Sequence, residues 1–425
     1  MYLGTNKKTN HLSKPDSQVV FVTAFTPFGS GEFFTLDEIY ALKIRGVKPV
    51  IVPRSYGDII IHNQSRHLID QTLNHKLLDV KTLSVFVRST IKKPLKIASL
   101  ISWCWQWSWS LLEFIKALVV LPKALRIAEE LNNYDFEHVH STNTTTMAII
   151  AYTISQENNV PWSFTLHSWW PRFQKRKKHF ETMIESASFC RVISEKACRE
   201  LKDLIDSTLH SKCFTVHIGT ECVASSCARL PVKGIFTIVT PAGLQRHKGH
   251  HIALESGRIL LARGVNNYRW IFYGEGPELT VLQKSIDSMK LHDHFKISGV
   301  IKNFELLHDY RNGLVQIVVL PSIEDTGMPE GIPHALIQAM GFGIPVVSTN
   351  SGGTSELTGY GAGTIVPQND PLALADAVQH LITDNEFYFV QAENARQRAS
   401  ESFNFDITCK QIIELFRIDH EIMIY

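Results

Sequence analysis

Pro321-Ser322-Ile323-Glu324-Asp325-Thr326-Gly327-Met328-Pro329-Glu330-Gly331-Ile332-Pro333-His334-Ala335-Leu336-Ile337-Gln338 follows directly on the apolar run Ile317-Val318-Val319-Leu320. A short, β-branched run without polar alternation reads as a strand buried on both faces, and Pro321 ends it. The polar stretch after it is a loop, and Pro333 marks the start of a helix, where a missing N–H costs nothing. A helix N-terminus beyond the end of a parallel strand offers free backbone N–H groups and about half a positive charge to an anion. The backbone from Gly331 through Ile332, Pro333 and His334 to Ala335 is therefore expected to meet a phosphate. Glu330 would repel phosphate but suits a neutral sugar hydroxyl, and the Gln338 amide, about one and a half turns into the helix, suits another.

Outward from this stretch, strand and helix signals alternate along the chain. Val19-Val20-Phe21-Val22-Thr23-Ala24-Phe25 reads as a buried strand entering a loop with Pro27, Gly29 and Gly31. Phe34, Leu36, Ile39, Tyr40 and Leu42 then stand at helical spacing, Gly46 ends that helix, and Lys48-Pro49-Val50-Ile51-Val52 begins another strand. His138-Val139-His140 reads as the end of a short strand, residues 147–154 as a helix, and Trp162-Ser163-Phe164-Thr165-Leu166 as a strand ending at His167. Residues 222–233, with small side chains, Pro231 and little periodicity, read as a linker. A second series follows with strands at Phe236-Thr237-Ile238-Val239, Trp270-Ile271-Phe272-Tyr273, Phe295-Lys296-Ile297, Ile317 to Leu320 and Pro345-Val346-Val347-Ser348. The expected fold is α/β, with two Rossmann-like domains facing each other across a cleft. At 425 residues the chain exceeds the roughly 250–300 at which single cores stop growing. The domains are placed at 1–228 and 229–402, with 403–425 a closing helix that packs back on the first.

Forty-three Lys and Arg against 41 acidic residues leave no global field to attract nucleic acid. The basic cluster at residues 172–178 is read either as a solvated face or as a contact for an anionic partner such as a lipid surface. Seven cysteines without metal-ligand spacing fit a reducing compartment, and the polar first eighteen residues lack the centre of a secretory signal, so a cytoplasmic location is expected. The apolar stretch at 97–121 is interrupted by Glu113 and Lys116 and is not read as a membrane span. Its alternating Trp103, Trp105, Trp107 and Trp109 suit either a membrane interface or burial between helices.

The segment 321–345 resembles the donor-binding signature, Glu-x7-Glu, of the retaining GT-B glycosyltransferases of family 4. Glu330-Gly331, Ala339-Met340, Gly343-x-Pro345-Val346-Val347 and Gly352-Gly353-x-x-Glu356-Leu357 fall in that family's order. Phe28-Gly29-Ser30-Gly31-Glu32 and His138-Val139-His140 resemble motifs of its exopolysaccharide, colanic-acid-type branch, and Lys248-Gly249-His250 and Tyr273-Gly274-Glu275-Gly276-Pro277 are similar to landmarks of the family. The resemblance implies a GT-B fold and transfer of a hexosyl-type sugar from a nucleotide-diphosphate donor, with retention, to a glycan or lipid-linked acceptor. It assigns Glu330 to sugar hydroxyls, Gln338 to the ribose, Gly274 to the neighbourhood of the nucleotide, and His167 to the transferred sugar. His140 is left between packing and acceptor contact. Two positions depart from the pattern: Gln338 stands where the second acid belongs, and Gly243 where an Arg partners the phosphate lysine.

Such chemistry needs the leaving diphosphate stabilised by fixed cations and backbone donors. Lys248 and the N–H groups near Gly331 are the candidates, with Arg246 able to replace the missing cation and Gly29 and Gly31 letting backbone approach the phosphates. The chain has no Asp-x-Asp pair, so no metal is expected and no cofactor beyond the donor itself. Two other readings keep the fold: a transferase with a soluble acceptor, as in sucrose or trehalose synthesis, and a sugar-nucleotide-binding protein with impaired turnover.

Overall fold

In the computed structural model, which describes residues 18–29, 32–60, 63–167, 176–324 and 330–422, two six-stranded sheets form, each parallel throughout. The first has β1 (Gln18–Thr23), β2 (Lys48–Pro53), β3 (His138–Ser141), β4 (Trp162–Leu166), β5 (Phe189–Val192) and β6 (Cys213–Thr215), in the order β2-β1-β3-β4-β5-β6. The second has β7 (Phe236–Pro241), β8 (Tyr268–Tyr273), β9 (Phe295–Ile297), β10 (Ile317–Leu320), β11 (Val346–Thr349) and β12 (Thr364–Val366), in the order β12-β11-β10-β7-β8-β9. Each order reverses once, between β1 and β3 and between β7 and β10. At such a reversal the loops leave in opposite directions and open a crevice beyond the strand ends.

Period-two side chains cover both faces of each sheet. Val20 and Val22 join one core with Trp162, Phe164 and the helices Leu111–Leu131 and Thr146–Asn158, while Val19 and Phe21 join another with the helix Phe33–Lys43. In the second domain Ile317 and Val319 face one core, and Val318 and Leu320 the other. Burying one such side chain contributes about 1.5–3 kcal/mol, so shifting any strand by one residue would move every apolar group to the wrong face.

His138 and His140 lie at the start and middle of β3 rather than at a strand's end, because His138 and Val139 already pair with Val19 and Val20. The chain leaves β6 for β7 past Thr220 and returns at Asn404, and the two crossings are hydrogen-bonded: Thr220 N donates to Phe403 O at 2.7 Å and Phe405 N to Thr220 O at 3.2 Å. The helix Phe405–Ile422 then packs Cys409, Ile412, Leu415 and Phe416 onto the first domain's core with Phe21 and Leu36. Arg191, fully buried, secures the exit from β6. It grips both oxygens of Glu38, at 2.6 and 2.7 Å, and donates to Val216 O and His217 O.

The tryptophan run divides by helical phase. On the helix Pro94–Trp107, Trp103 and Trp107 are four apart and buried, with Trp103 stacked on Tyr152 at 3.9 Å, whereas Trp105 is 61% exposed. A spacing of two in sequence puts alternate members about 200° apart on a helix, which is why one run serves both core and surface.

Candidate active site at the interdomain crevice

The loops after β7 and β10 meet at the second domain's reversal point. After β7 the chain makes a single 3-10 turn, Arg246–Lys248, and enters the helix His250–Ala262 through Gly249. Gly249 has φ +71°, and a Cβ there would lie 1.8 Å from Pro321 O, so the two loops touch only because the side chain is absent. This contact aims Lys248 across the crevice. Its Nζ donates to Glu330 Oε1 at 2.5 Å, and Ser322 Oγ donates to the same oxygen at 2.6 Å. Burial alone would raise the Glu330 pKa; the Lys248 charge and the two hydrogen bonds outweigh it and hold the carboxyl below its ordinary value.

Glu330 is fixed from behind as well. Its N–H donates to Ser351 Oγ at 3.3 Å, and Gly352, at φ +56°, passes so close that a Cβ would meet Glu330 O at 1.6 Å. Gly353 N donates to Gly331 O at 2.9 Å. Ile332 is buried, Pro333 stands in extended conformation as N-cap, and the helix His334–Gly341 begins beyond it, leaving its first N–H groups without intrahelical acceptors. Arg246 is exposed on its turn and makes no ion pair among the described residues. Gly274 supports the site from below: a Cβ there would lie 2.1 Å from Ala242 O, in the loop that carries Lys248.

The first domain approaches through Gly331, where a Cβ would lie 2.2 Å from His167 O. His167 donates from Nε2 to Thr142 O at 2.8 Å, and burial lowers its pKa, so the ring is neutral. Its Nδ1 is thereby a bare acceptor, buried and without a partner among the described residues. Phe34, at the start of the helix Phe33–Lys43, packs edge-on against this ring at 5.1 Å. The loop before that helix is closed by Glu32, whose carboxylate accepts from the N–H groups of Ala24, Phe25 and Thr26, and Gly29 N donates to Ile59 O. Gly31, residues 172–175 of the basic cluster and residues 325–329 of the donor loop lie outside the described residues.

Other expected site residues stand away from the crevice. Both His140 nitrogens are engaged, by Ser163 Oγ at 2.7 Å and Thr165 Oγ1 at 2.9 Å, and the ring is buried against Phe189 and Phe416, so its hydrogen bonds are spent inside the first domain. The His334 ring turns to the first domain, against Phe33 at 5.3 Å, with its pKa pushed down to about 4 by burial. Gln338 is buried, and its amide donates to Asn303 Oδ1 at 3.0 Å instead of standing free for a hydroxyl. Asn303 in turn reaches Asp37 of the first domain at 3.4 Å. Burial, and then the charge of Glu221, push the Asp37 carboxyl up to about 7. A second bridge between domains is Glu356, which accepts from the N–H groups of Glu195 and Lys196, both at 2.8 Å, at the start of the helix Glu195–Leu204.

Asn303, Asp37 and the bridging role of Glu356 have no signal in local sequence, since each acts through a partner distant in the chain. Among the described residues no three His, Cys, Asp or Glu side chains converge on a common point.

A crevice between two Rossmann-like domains is the arrangement of a GT-B protein. Residues 230–398 match the family described as Glycosyl transferases group 1. Over 185 residues the chain is 35% identical to WcaL of Salmonella typhimurium, named for a glycosyltransferase role in colanic acid biosynthesis; the alignment covers 42% of this chain and 44% of the relative. The chain thus matches less than half the length of that curated relative. Two solved structures share the fold along nearly the whole chain: a glycosyltransferase from Rickettsia africae, with TM-score 0.68, 18% identity and 95% and 98% coverage, and Anabaena HepE in complex with UDP, with TM-score 0.68, 16% identity and 94% and 98% coverage.

Proposed function

We propose that the chain is a retaining glycosyltransferase that moves a hexosyl-type sugar from a nucleotide-diphosphate sugar to a glycan or lipid-linked acceptor in surface polysaccharide biosynthesis, in the cytoplasm and without a metal ion. The observation that carries this reading is the Lys248–Glu330–Ser322 cluster at the crevice, beside a helix N-terminus with free N–H groups. When a donor binds, its diphosphate takes up Lys248 Nζ, Arg246 and the N–H groups beyond Gly331, and the charge developing on the leaving group is met by dipoles already in place. Glu330, ionised and held by Ser322, accepts hydrogen bonds from sugar hydroxyls. The bare Nδ1 of His167 accepts another from the opposite domain. Retention and the hexosyl character of the sugar follow from the family resemblance.

On the acceptor side, a cavity of about 660 Å³ lies beyond β2, lined by Arg54, Tyr56, Lys76, Leu78, Ile115 and Lys116 among others. Cations beside apolar walls suit an anionic, lipid-linked acceptor better than a bare sugar.

A panel of nucleotide-sugars in a thermal-shift assay, beginning with UDP-sugars because UDP occupies the Anabaena structure, tests donor binding. A ligand at 100 times its Kd adds about 2.7 kcal/mol of stability. Glu330→Ala is expected to abolish transfer, and near-normal turnover in that variant would refute the assignment. The impaired-turnover reading draws on Gln338, whose amide is committed to Asn303; tight donor binding with neither transfer nor donor hydrolysis would favour it.

A further inference from the structure

Twelve of the twenty-eight large apolar side chains that stand exposed among the described residues fall within residues 78–119, about a tenth of the chain. They are not scattered. On the helix Val80–Lys92 the exposed apolar positions are Val80, Leu83, Val87 and Ile91, spaced by three, four and four, which is one stripe of a helix, while Thr82 and Val85 point to the core. Leu83, Val87 and Ile91, with Ser84, Arg88 and Lys92, line a shallow groove of about 470 Å³. Leu95 and Trp105 stand exposed on the next helix, and Leu111, Leu112, Ile115 and Val119 on the first turns of the helix Leu111–Leu131. A surface helix ordinarily turns its apolar stripe inward; here apolar stripes face out.

Basic residues outnumber acids around these stripes, and four of the cations are ion-paired: Arg88 with Glu129, Lys93 and Lys96 with Glu157, and Lys116 with Glu113. Between residues 80 and 120 there are six Lys and Arg, namely Lys81, Arg88, Lys92, Lys93, Lys96 and Lys116, and a single acid, Glu113, in a chain whose formal net charge is +2. Lys81 and Lys92, on the same helix as the stripe, make no ion pair among the described residues. Long basic side chains beside an apolar stripe lay their stems on the apolar surface and lift their cations to its rim. A second copy of this chain would bring the same excess of basic residues to this face, with Lys81 and Lys92 still without an acidic partner among the described residues. Aliphatic and indole groups that enter an acyl boundary, ringed by cations that meet lipid phosphates, match an anionic bilayer.

The geometry points to a membrane-docking face made of the helices Val80–Lys92 and Pro94–Trp107 and the first turns of Leu111–Leu131, with an anionic phospholipid bilayer as its partner. No helix among the described residues is long and apolar enough to cross a membrane, so the contact is peripheral. Ile115, Lys116 and Val119 belong both to this face and to the wall of the 660 Å³ cavity, so a docked molecule would present that cavity at the lipid surface. The inference is independent of sugar transfer, because the docking is measured without donor or acceptor.

The test is sedimentation of the full chain with vesicles of phosphatidylcholine alone and of phosphatidylcholine mixed with phosphatidylglycerol, at low and high salt. The wild type is expected to partition roughly tenfold more into the anionic vesicles at low salt and to lose most of that preference at high salt. Val87→Glu with Ile91→Glu, and separately Lys81→Glu with Lys92→Glu, are expected to lower binding to anionic vesicles roughly tenfold or more, with melting temperature unchanged because all four positions are exposed. Absence of the wild type from the anionic pellet at low salt, or full binding by both variants, would overturn the proposal. So would a dimer of the vesicle-free protein that Val87→Glu with Ile91→Glu dissolves, since the face would then belong to a second copy.

Discussion

The crevice between β7 and β10 and the crevice between β1 and β3 hold equivalent places in two similar sheets, yet they are built from different chemistry. The second domain's crevice is charged: Lys248, Glu330 and Ser322 converge within 2.6 Å contacts, with Arg246 nearby. The first domain's, among the described residues, offers less free charge. The Glu32 carboxylate at the loop after β1 is consumed by three backbone N–H groups, and burial lowers the pKa of His167. Charge at fixed positions discriminates a diphosphate, whereas neutral donors and acceptors suit hydroxyl groups. On the proposed function, the difference fits a donor role for one half and a hydroxyl-bearing partner for the other.

The largest effect is expected where the charged crevice depends on a missing side chain. Gly352→Ala places a methyl group 1.6 Å from Glu330 O at a φ of +56°, so Glu330 must move. We expect a loss of at least about 3 kcal/mol in stability, or of more than about 100-fold in donor affinity where the fold survives. Gly46→Ala in the first domain is the control: its φ is +97° but nothing lies within 4 Å of the added methyl, so only backbone strain of about 1–2 kcal/mol is expected. Equal effects of the two in denaturant melts would break the contrast between the halves.

Lys248→Met tests the charge itself. In the wild type the Glu330 pKa is held below its unfolded value, near about 4.3, so the pair's contribution is complete above that pH and is lost as pH falls through the folded value. Without Lys248, burial becomes the main influence and raises the Glu330 pKa above the unfolded value. The sign then reverses, and stability declines as pH rises from about 4.3 through the raised folded value. At neutral pH the variant should be less stable by about 3 kcal/mol, since an unpaired buried carboxylate remains. Melting temperature against pH would show the reversal, and parallel profiles would mean that Lys248 does not govern Glu330.

How much of this is legible from sequence differs between the halves for the same physical reason. Val318 and Val319 in a buried run, Pro321 as stop and Pro333 as helix start are local signals, so the second domain's crevice is readable along one stretch. Lys248 is readable through the family resemblance of Lys248-Gly249-His250. The first domain's contribution depends on partners far apart in the chain. Nothing near His140 indicates that Ser163 and Thr165 take both of its nitrogens, and nothing near Gln338 predicts Asn303 and Asp37. The outward stripe of Val80, Leu83, Val87 and Ile91 is periodic in sequence, but periodicity alone does not say which face is covered.

The smallest effect concerns the one place where the charged crevice is short of a cation. By family resemblance an Arg belongs at position 243, and here Gly243 takes an ordinary φ, with only Glu275 O, at 3.7 Å, near the position that a Cβ would occupy. The fold therefore accepts a side chain at this point, and the loop contact between Gly249 and Pro321 that positions Lys248 is untouched. Gly243→Arg should leave melting temperature nearly unchanged and tighten binding of a nucleotide diphosphate by roughly tenfold, the gain of one charge-assisted contact of about 1.5 kcal/mol. The gain should shrink with added salt, because the loop is open to solvent. If titration calorimetry shows no gain, Arg246 already fills the cation's role, and the difference in charge between the two crevices is sharper than the family pattern implies.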